Sequence, residues 1–208
     1  MHRVQASIDL KALQHNFQIA RSRAKGSKVA AIIKANAYGH GLVQAAKTLT
    51  QADLFGVTDV HEAVTLEQAA TGKPILVLQW MMHPDDLQLV AEHNFQLVIH
   101  SAEQLAQIDE TFSRLTLKQP LTLWLKMDSG MGRLGLSPHG FATTYKALLG
   151  RPYTDTVVMM THLANSSQTD SPLNLIQLNA FRETETELAG ELQGTSIASS
   201  SGILSDLP

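Results

Sequence analysis

Lys34 follows three apolar residues in the run Ala31-Ile32-Ile33-Lys34-Ala35-Asn36-Ala37-Tyr38-Gly39-His40-Gly41. A lysine at the end of a buried strand is partly desolvated, and desolvation favours the neutral amine, the form that condenses with an aldehyde. The same position also suits a lysine that snorkels out to water. Gly39 and Gly41 around His40 allow close backbone approach, and Tyr38 adds a hydroxyl. Together they suit an anionic group such as a phosphate.

A second cluster is Lys126-Met127-Asp128-Ser129-Gly130-Met131-Gly132-Arg133-Leu134-Gly135. Its glycines satisfy the letters of the dinucleotide fingerprint, but a true fingerprint opens its helix inside the glycines so that the pyrophosphate sits on the helix N-terminus. Here Ser137-Pro138 start the helix after them, so the match is a decoy. Arg133 is a planar cation with forked donors, suited to a carboxylate. The alternative is that Lys126 and Arg133 simply pair with Asp128 and other acids near the surface.

His162 closes the run Met159-Met160-Thr161-His162, and Ser199-Ser200-Ser201-Gly202 closes another. A lone histidine at a strand end is either a hydrogen-bonded structural residue or a reacting group. The serines offer hydroxyl and backbone donors for a phosphate, or are ordinary loop residues. No metal site is expected. His61-Glu62 begins like a zinc-protease helix, but Thr65 occupies the position of the second histidine. The pairs Met81-Met82 and Met159-Met160 read as packing residues.

The elements that must position these groups repeat one cycle: a short β-branched run, a polar or glycine-bearing junction, then apolar residues at helical spacing. Strands are predicted over Val29–Lys34, Leu54–Thr58, Pro74–Gln79, Gln96–His100, Leu121–Met127, Thr156–His162 and Thr195–Ser199. Helices are predicted over Gly41–Leu49, Val60–Ala70, Pro84–His93, Ala102–Ile108, Pro138–Leu149 and Leu173–Leu192. Ser101 with Gln104 forms a capping box, and Asp59 with Glu62 a looser one. Ahead of them, Asp9 caps a helix through Leu10, Leu13, Phe17 and Ala20, and the alternating Val4–Ile8 reads as a strand outside any β/α unit. Repeated β/α units give a doubly wound sheet or an eight-stranded barrel, and seven strands is one short of a closed (β/α)8 barrel.

Composition narrows the partners. A net charge of -3 leaves no basic face for a polyphosphate, so nucleic acid is not expected and a small metabolite is. The chain has no cysteine, which removes thiolate chemistry and disulfides and is compatible with a reducing compartment. No apolar run approaches the ~18 residues of a membrane span, and no secretory signal is expected from the opening residues. A cytoplasmic location is the expectation.

The string KANAYGHG, from Lys34 to Gly41, resembles the cofactor-lysine motif of alanine racemases. Lys126 to Gly135 is similar to that family's KMDTGMGRLG signature, with Ser129 in place of Thr, and the resemblance covers essentially the whole chain. It implies an α/β fold of the (β/α)8 TIM-barrel type binding pyridoxal 5'-phosphate. Lys34 would hold the cofactor as a Schiff base and act as the base on the D-alanine face. Tyr38 and Ser200 would bind the phosphate, His162 would pack beside the ring, and Arg133 would take the substrate carboxylate and the cofactor's phenolic oxygen. Lys126 matches a lysine that is carbamylated in many members, where the anion orients the arginine.

By the same resemblance the opposing tyrosine base comes from a C-terminal β-rich domain across a homodimer. The expectation is therefore residues 1–208 as an incomplete barrel, truncated before the eighth strand and without that domain, with residues 1–9 as a strand that would pair with it. Such a chain should interconvert L- and D-alanine weakly or not at all on its own. The family supplies D-alanine for peptidoglycan, although the residues do not separate that role from a catabolic one, nor alanine from serine as substrate. The alternative is a non-catalytic pyridoxal-phosphate homeostasis protein of the same barrel family, whose motifs KANAYGHG and KMDSGMGRLG do not resemble.

Overall fold

Seven strands pair in chain order into a single parallel sheet, each linked to the next by helical crossover segments. They are β1 (Ala30–Ile32), β2 (Leu54–Val57), β3 (Ile75–Val77), β4 (Gln96–Ile99), β5 (Leu121–Lys126), β6 (Thr154–Met160) and β7 (Thr195–Ser196). The computed structural model describes residues 4–79 and 83–205; Met81 and Met82 lie outside the described residues. Consecutive order in a parallel sheet is the winding of a (β/α) barrel, and the sheet curls into a partial barrel with helices outside. Among the described residues β1 and β7 each have one neighbouring strand.

Alternation along β5 shows how the layers form. Leu121, Leu123 and Leu125 are buried against the helices, whereas Thr122, Trp124 and Lys126 face the inside of the curl. The outer layer takes α3 (Leu42–Thr48), α4 (Val60–Gln68), α5 (Pro84–His93), α6 (Ala102–Phe112), α7 (Pro138–Leu149) and α8 (Pro172–Glu187). They bring Leu66, Leu87, Ile108, Phe141, Tyr145 and Phe181 into one core with the strands. The inner face has its own smaller cluster, Leu54, Leu76 and Val98 with Ala30, Leu78, Trp124 and Met160 packed on it. Its floor is tied by the Trp124 indole N–H, which donates to Gln96 Oε1 at 2.8 Å.

Capping chemistry starts the helices where the sequence places them. Asp9 accepts from the amides of Lys11 and Ala12 to start α1 (Leu10–Arg23), and Asp59 accepts from His61 and Glu62. The box partners, however, reach one residue further back than a capping box does. Glu62 Oε2 accepts from Thr58 N–H at 3.2 Å, and Gln104 Oε1 from His100 N–H at 2.8 Å. Each helix thus holds the end of the strand before it.

Several expected boundaries move. β1 stops at Ile32, so Lys34 is not a strand residue; it opens α2 (Lys34–Tyr38), a short element wound in the opposite sense to an ordinary helix. β7 is two residues rather than five. α6 runs past Ile108 to Phe112, because one more turn buries Phe112 edge-on to Tyr153 at 5.3 Å. α8 ends at Glu187 instead of Leu192, before Gly190 takes a φ of 89°. Val4–Ile8, expected as a strand, belongs to no sheet in this structure, since ladder bonds require a neighbouring strand.

Tyr145 shows what anchors the last strand. Its buried hydroxyl donates to Val157 O at 2.9 Å and accepts from Gln193 N–H at 3.2 Å, joining β6 to the turn that leads into β7. Tyr145→Phe leaves both backbone groups without that partner and is expected to lower stability by about 1–3 kcal/mol. Urea unfolding of the two proteins measures the difference.

Candidate active site at the strand ends

The backbone beyond β1 is the most unusual in the molecule. Ala35, Asn36, Ala37 and Tyr38 have φ of 51°, 54°, 53° and 53°, a left-handed turn made by L-residues and closed by Gly39 at 85°. Left-handed helical backbone costs about 1–2 kcal/mol per residue, so the turn needs outside support. Glu62 supplies it: Oε1 accepts from Asn36 N–H at 2.8 Å while Oε2 holds Thr58 at the end of β2. Asn36 supplies more, its Oδ1 accepting from Leu42 N–H at 2.8 Å and its carbonyl from Gly41 N–H at 3.0 Å. The result fixes Lys34, half-buried, at the mouth of the curl and leaves Tyr38 exposed.

Beyond β5 a closed loop carries Arg133. Asp128 Oδ1 accepts from the amides of Gly130, Met131 and Gly132 at 2.8–3.0 Å. The loop returns so that Leu136 N–H reaches Lys126 O and Asp128 N–H reaches Leu136 O, each at 2.9 Å. Gly135 makes the return possible: a Cβ there would stand 2.4 Å from Asp128 N, at a φ of 134°. Among the described residues the ion pairs involve neither Lys126 nor Arg133, so pairing with Asp128 does not account for them. Arg133 is exposed at the loop tip and Lys126 half-buried on the inner face.

The electrostatics place these groups together. Burial pushes the Lys126 amine below its ordinary range, and the charges of Arg133 and Lys34 push it further, against the pull of Asp128. Burial also lowers His162, with Lys126, Arg133 and Lys34 acting in the same direction. Burial opposes ionisation of Asp128, but the three loop amides and Lys126 hold its carboxyl below the usual range. Lys34 from the β1 end, Lys126 from β5, Arg133 from the loop and His162 beyond β6 therefore share one field, in which Asp128 is the acid that acts on Lys126.

Two polar networks support this cluster. Gln177, fully buried on α8, donates to His162 O at 3.2 Å and Ser129 Oγ at 3.4 Å and accepts from Ala164 N–H at 2.9 Å. Ser129 Oγ is also 2.9 Å from Thr161 Oγ1, which donates to Met127 O. These bonds join the Arg133 loop to the end of β6. On the other side, the hydroxyls of Ser166, Ser199 and Ser201 form a triangle of 2.6–3.2 Å edges at the start of α9 (Ser200–Leu204). Ser200 stands exposed beside it. Ser199 and Ser201 belong to the serine run read from the sequence, but buried Gln177, Ser129, Thr161 and Ser166 lie on separate segments with no shared periodicity, so no sequence pattern marks them as partners. A further half-buried histidine, His100, lies next to Lys126.

The four residues with shared electrostatics thus converge, while Tyr38 and Ser200 lie on the two segments that flank them. Among the described residues no group of three or more His, Cys, Asp or Glu is arranged to hold a metal ion, and no helix is long and apolar enough to cross a membrane.

Residues 8–208 match the family profile described as alanine racemase, N-terminal domain. The chain is 42% identical over 205 residues to an alanine racemase of Xanthomonas axonopodis pv. citri, covering 98% of this chain and 54% of that protein. It is 39% identical over 193 residues to a catabolic alanine racemase of Pseudomonas aeruginosa, covering 92% and 53%. Among solved structures, the biosynthetic alanine racemase of Pseudomonas aeruginosa superposes with a TM-score of 0.85 at 31% identity, over 96% of this chain and 54% of the other. The chain spans about half the length of the curated relatives it matches.

The field at the mouth predicts a pH response. His162 should titrate below the ordinary histidine value of 6.5, because burial and three neighbouring cations disfavour the imidazolium. As pH falls from 6.5 through the lower folded value, the unfolded chain takes the proton more readily, so this histidine's stabilising contribution, intact above 6.5, is lost. NMR titration of the His162 ring in buffer free of carbon dioxide, where Lys126 stays an amine, reads the midpoint directly. Lys126→Met should move it upward, and a midpoint at or above 6.5 in the unaltered chain contradicts the account.

Proposed function

Because the chain belongs to the alanine racemase family, matching its N-terminal domain, we propose that it holds the pyridoxal 5'-phosphate-binding half of an amino-acid racemase. The observation that carries this reading is the gathering of Lys34, Lys126, Arg133 and His162 at one mouth. Asp128, the acid acting on Lys126 there, already binds three backbone amides. A site so rich in positive charge and poor in free acid suits a phosphate and a carboxylate together, so the donor set fits the cofactor and an amino-acid substrate.

Each residue then has a task. Lys34 is the attachment point and exchanges a proton with the substrate Cα on one face. Tyr38 and Ser200, on the flanking segments, bind the phosphate. His162 lies beside the ring, and Arg133 binds the substrate carboxylate and the phenolic oxygen. Lys126, whose amine burial shifts toward its neutral form, carries a carbamate that orients Arg133. When bound, the cofactor supplies an electron sink for charge developing at Cα. Racemisation needs a second group on the opposite face, and we assign it to the part of the relatives that this chain does not span, in a homodimer. Val4–Ile8 pairs with that part as a strand, which explains its lack of a sheet partner here. The substrate is alanine, and supply of D-alanine for peptidoglycan in the cytoplasm is the accompanying role.

The test is direct. The chain mixed with pyridoxal phosphate should develop a visible absorption band that borohydride removes and that Lys34→Ala never forms. Absence of the band in the unaltered chain, or its persistence in Lys34→Ala, overturns the assignment.

A further inference from the structure

His100 occupies a place in the site that the roles above leave unused. The β4–β5 register pairs Val98 with Trp124 and Ile99 with Leu125, so the next rung sets His100 beside Lys126. Val98 and Trp124 face the inside of the curl, and residues two positions on keep that side. Imidazole and amine therefore rise next to each other from strands about 4.8 Å apart. The histidine's backbone is fixed, since its amide donates to Oε1 of buried Gln104. In the neutral form one ring nitrogen carries a hydrogen and the other is an acceptor. The charged and titratable groups facing Lys126 are Arg133, Lys34 and Asp128, with His162 and His100 just past the ends of the adjoining strands.

We propose that His100 is the proton acceptor and hydrogen-bond partner for the carbamate that dissolved carbon dioxide forms on Lys126. The proposal rests on the carbamate assigned to Lys126 above. The neutral Nζ attacks the carbon of carbon dioxide, an N–C bond forms, and one C–O π pair moves onto oxygen. Nitrogen then gives up one proton to the free ring nitrogen of His100. The products are a carbamate anion and an imidazolium, so atoms and charge balance with carbon dioxide as the sole co-reactant.

The exchange suits the field already present. Burial and the Lys126 cation both oppose a charge on His100. Carbamylation reverses the sign of that neighbour, so the imidazolium becomes favoured beside the new anion. By linkage, whatever protonates His100 also holds the carbamate. The carbamate in turn gives Arg133 an anion to bind, which Asp128, with Oδ1 committed to the loop amides, does not provide.

Carbon-13 NMR of the chain in buffer equilibrated with labelled bicarbonate and carbon dioxide tests both layers. A protein-bound carbamate resonance is expected, absent in Lys126→Ala. Its absence from the unaltered chain overturns the Lys126 assignment and this proposal with it. His100→Leu should require about tenfold more bicarbonate for the same signal, from the loss of a hydrogen bond to a charged group, and His100→Gln should recover part of the loss. A carbamate with the same bicarbonate dependence in His100→Leu overturns the role of His100 while leaving the carbamate standing. The unaltered chain gives a second readout that no folding defect can confuse: bicarbonate should raise the titration midpoint of the His100 ring. An unmoved midpoint in the presence of the carbamate signal also overturns it.

Discussion

Four consecutive L-residues in left-handed backbone, Ala35 to Tyr38, are held in place by bonds within residues 33–42 and by one carboxylate from another helix, Glu62. Without Cβ-free residues at those positions the turn is unfavourable by several kcal/mol on a scale of about 1–2 per residue. Glu62 offsets part of that cost by accepting from Asn36 and from Thr58 at once, which also ties the turn to the end of β2. Strain of this kind persists only where the surroundings over-determine it, and here it fixes the direction in which the chain leaves β1. An ordinary extended exit would carry Lys34 onward with the strand. The reversed turn instead halts it at the mouth, within the field of Lys126 and His162.

That field is the second consequence of the architecture. Parallel strands deliver their last residues to one end, so β1, β5 and β6 bring Lys34, Lys126 and His162 together although they lie far apart in sequence. The Arg133 loop is folded on its own backbone through Asp128 and Gly135, leaving the guanidinium at the tip. Gln177 and Ser129 then join this loop to the β6 end, so the groups are set by a shared buried network rather than by separate loops. The positive excess is costly for an empty site and favourable for one that receives anions.

Much of this was readable in the residues. The seven strands follow from β-branched runs spaced by helical periodicity, their consecutive order is implied by the family resemblance rather than by that periodicity, and Ser137-Pro138 correctly start a helix after the glycines of residues 130–135. That start leaves the fingerprint-like glycines in a loop that carries Arg133. The sequence could not show that Lys34 lies past the strand, because in Ala-Asn-Ala-Tyr only the asparagine visits left-handed backbone readily, and the turn also needs Glu62 from another helix. Nor could it single out Gln177, Thr161 or Ser166, whose importance arises from burial beside partners distant in sequence. His100 was hidden for a related reason: it matters only because the β4–β5 register sets it beside Lys126. Val4–Ile8 alternates like a strand, yet an alternating pattern becomes a strand only when a neighbour accepts its hydrogen bonds.

The central claim is that Glu62 holds the reversed turn and so the position of Lys34. Amide hydrogen exchange at Asn36 and Leu42, compared between the chain and Glu62→Ala, measures that most directly. The account predicts that both amides are protected in the chain and exchange at least about tenfold faster in the variant, as local opening becomes easier, while the Leu123 amide in β5 is unchanged. Equal protection of Asn36 and Leu42 in the two proteins would contradict it.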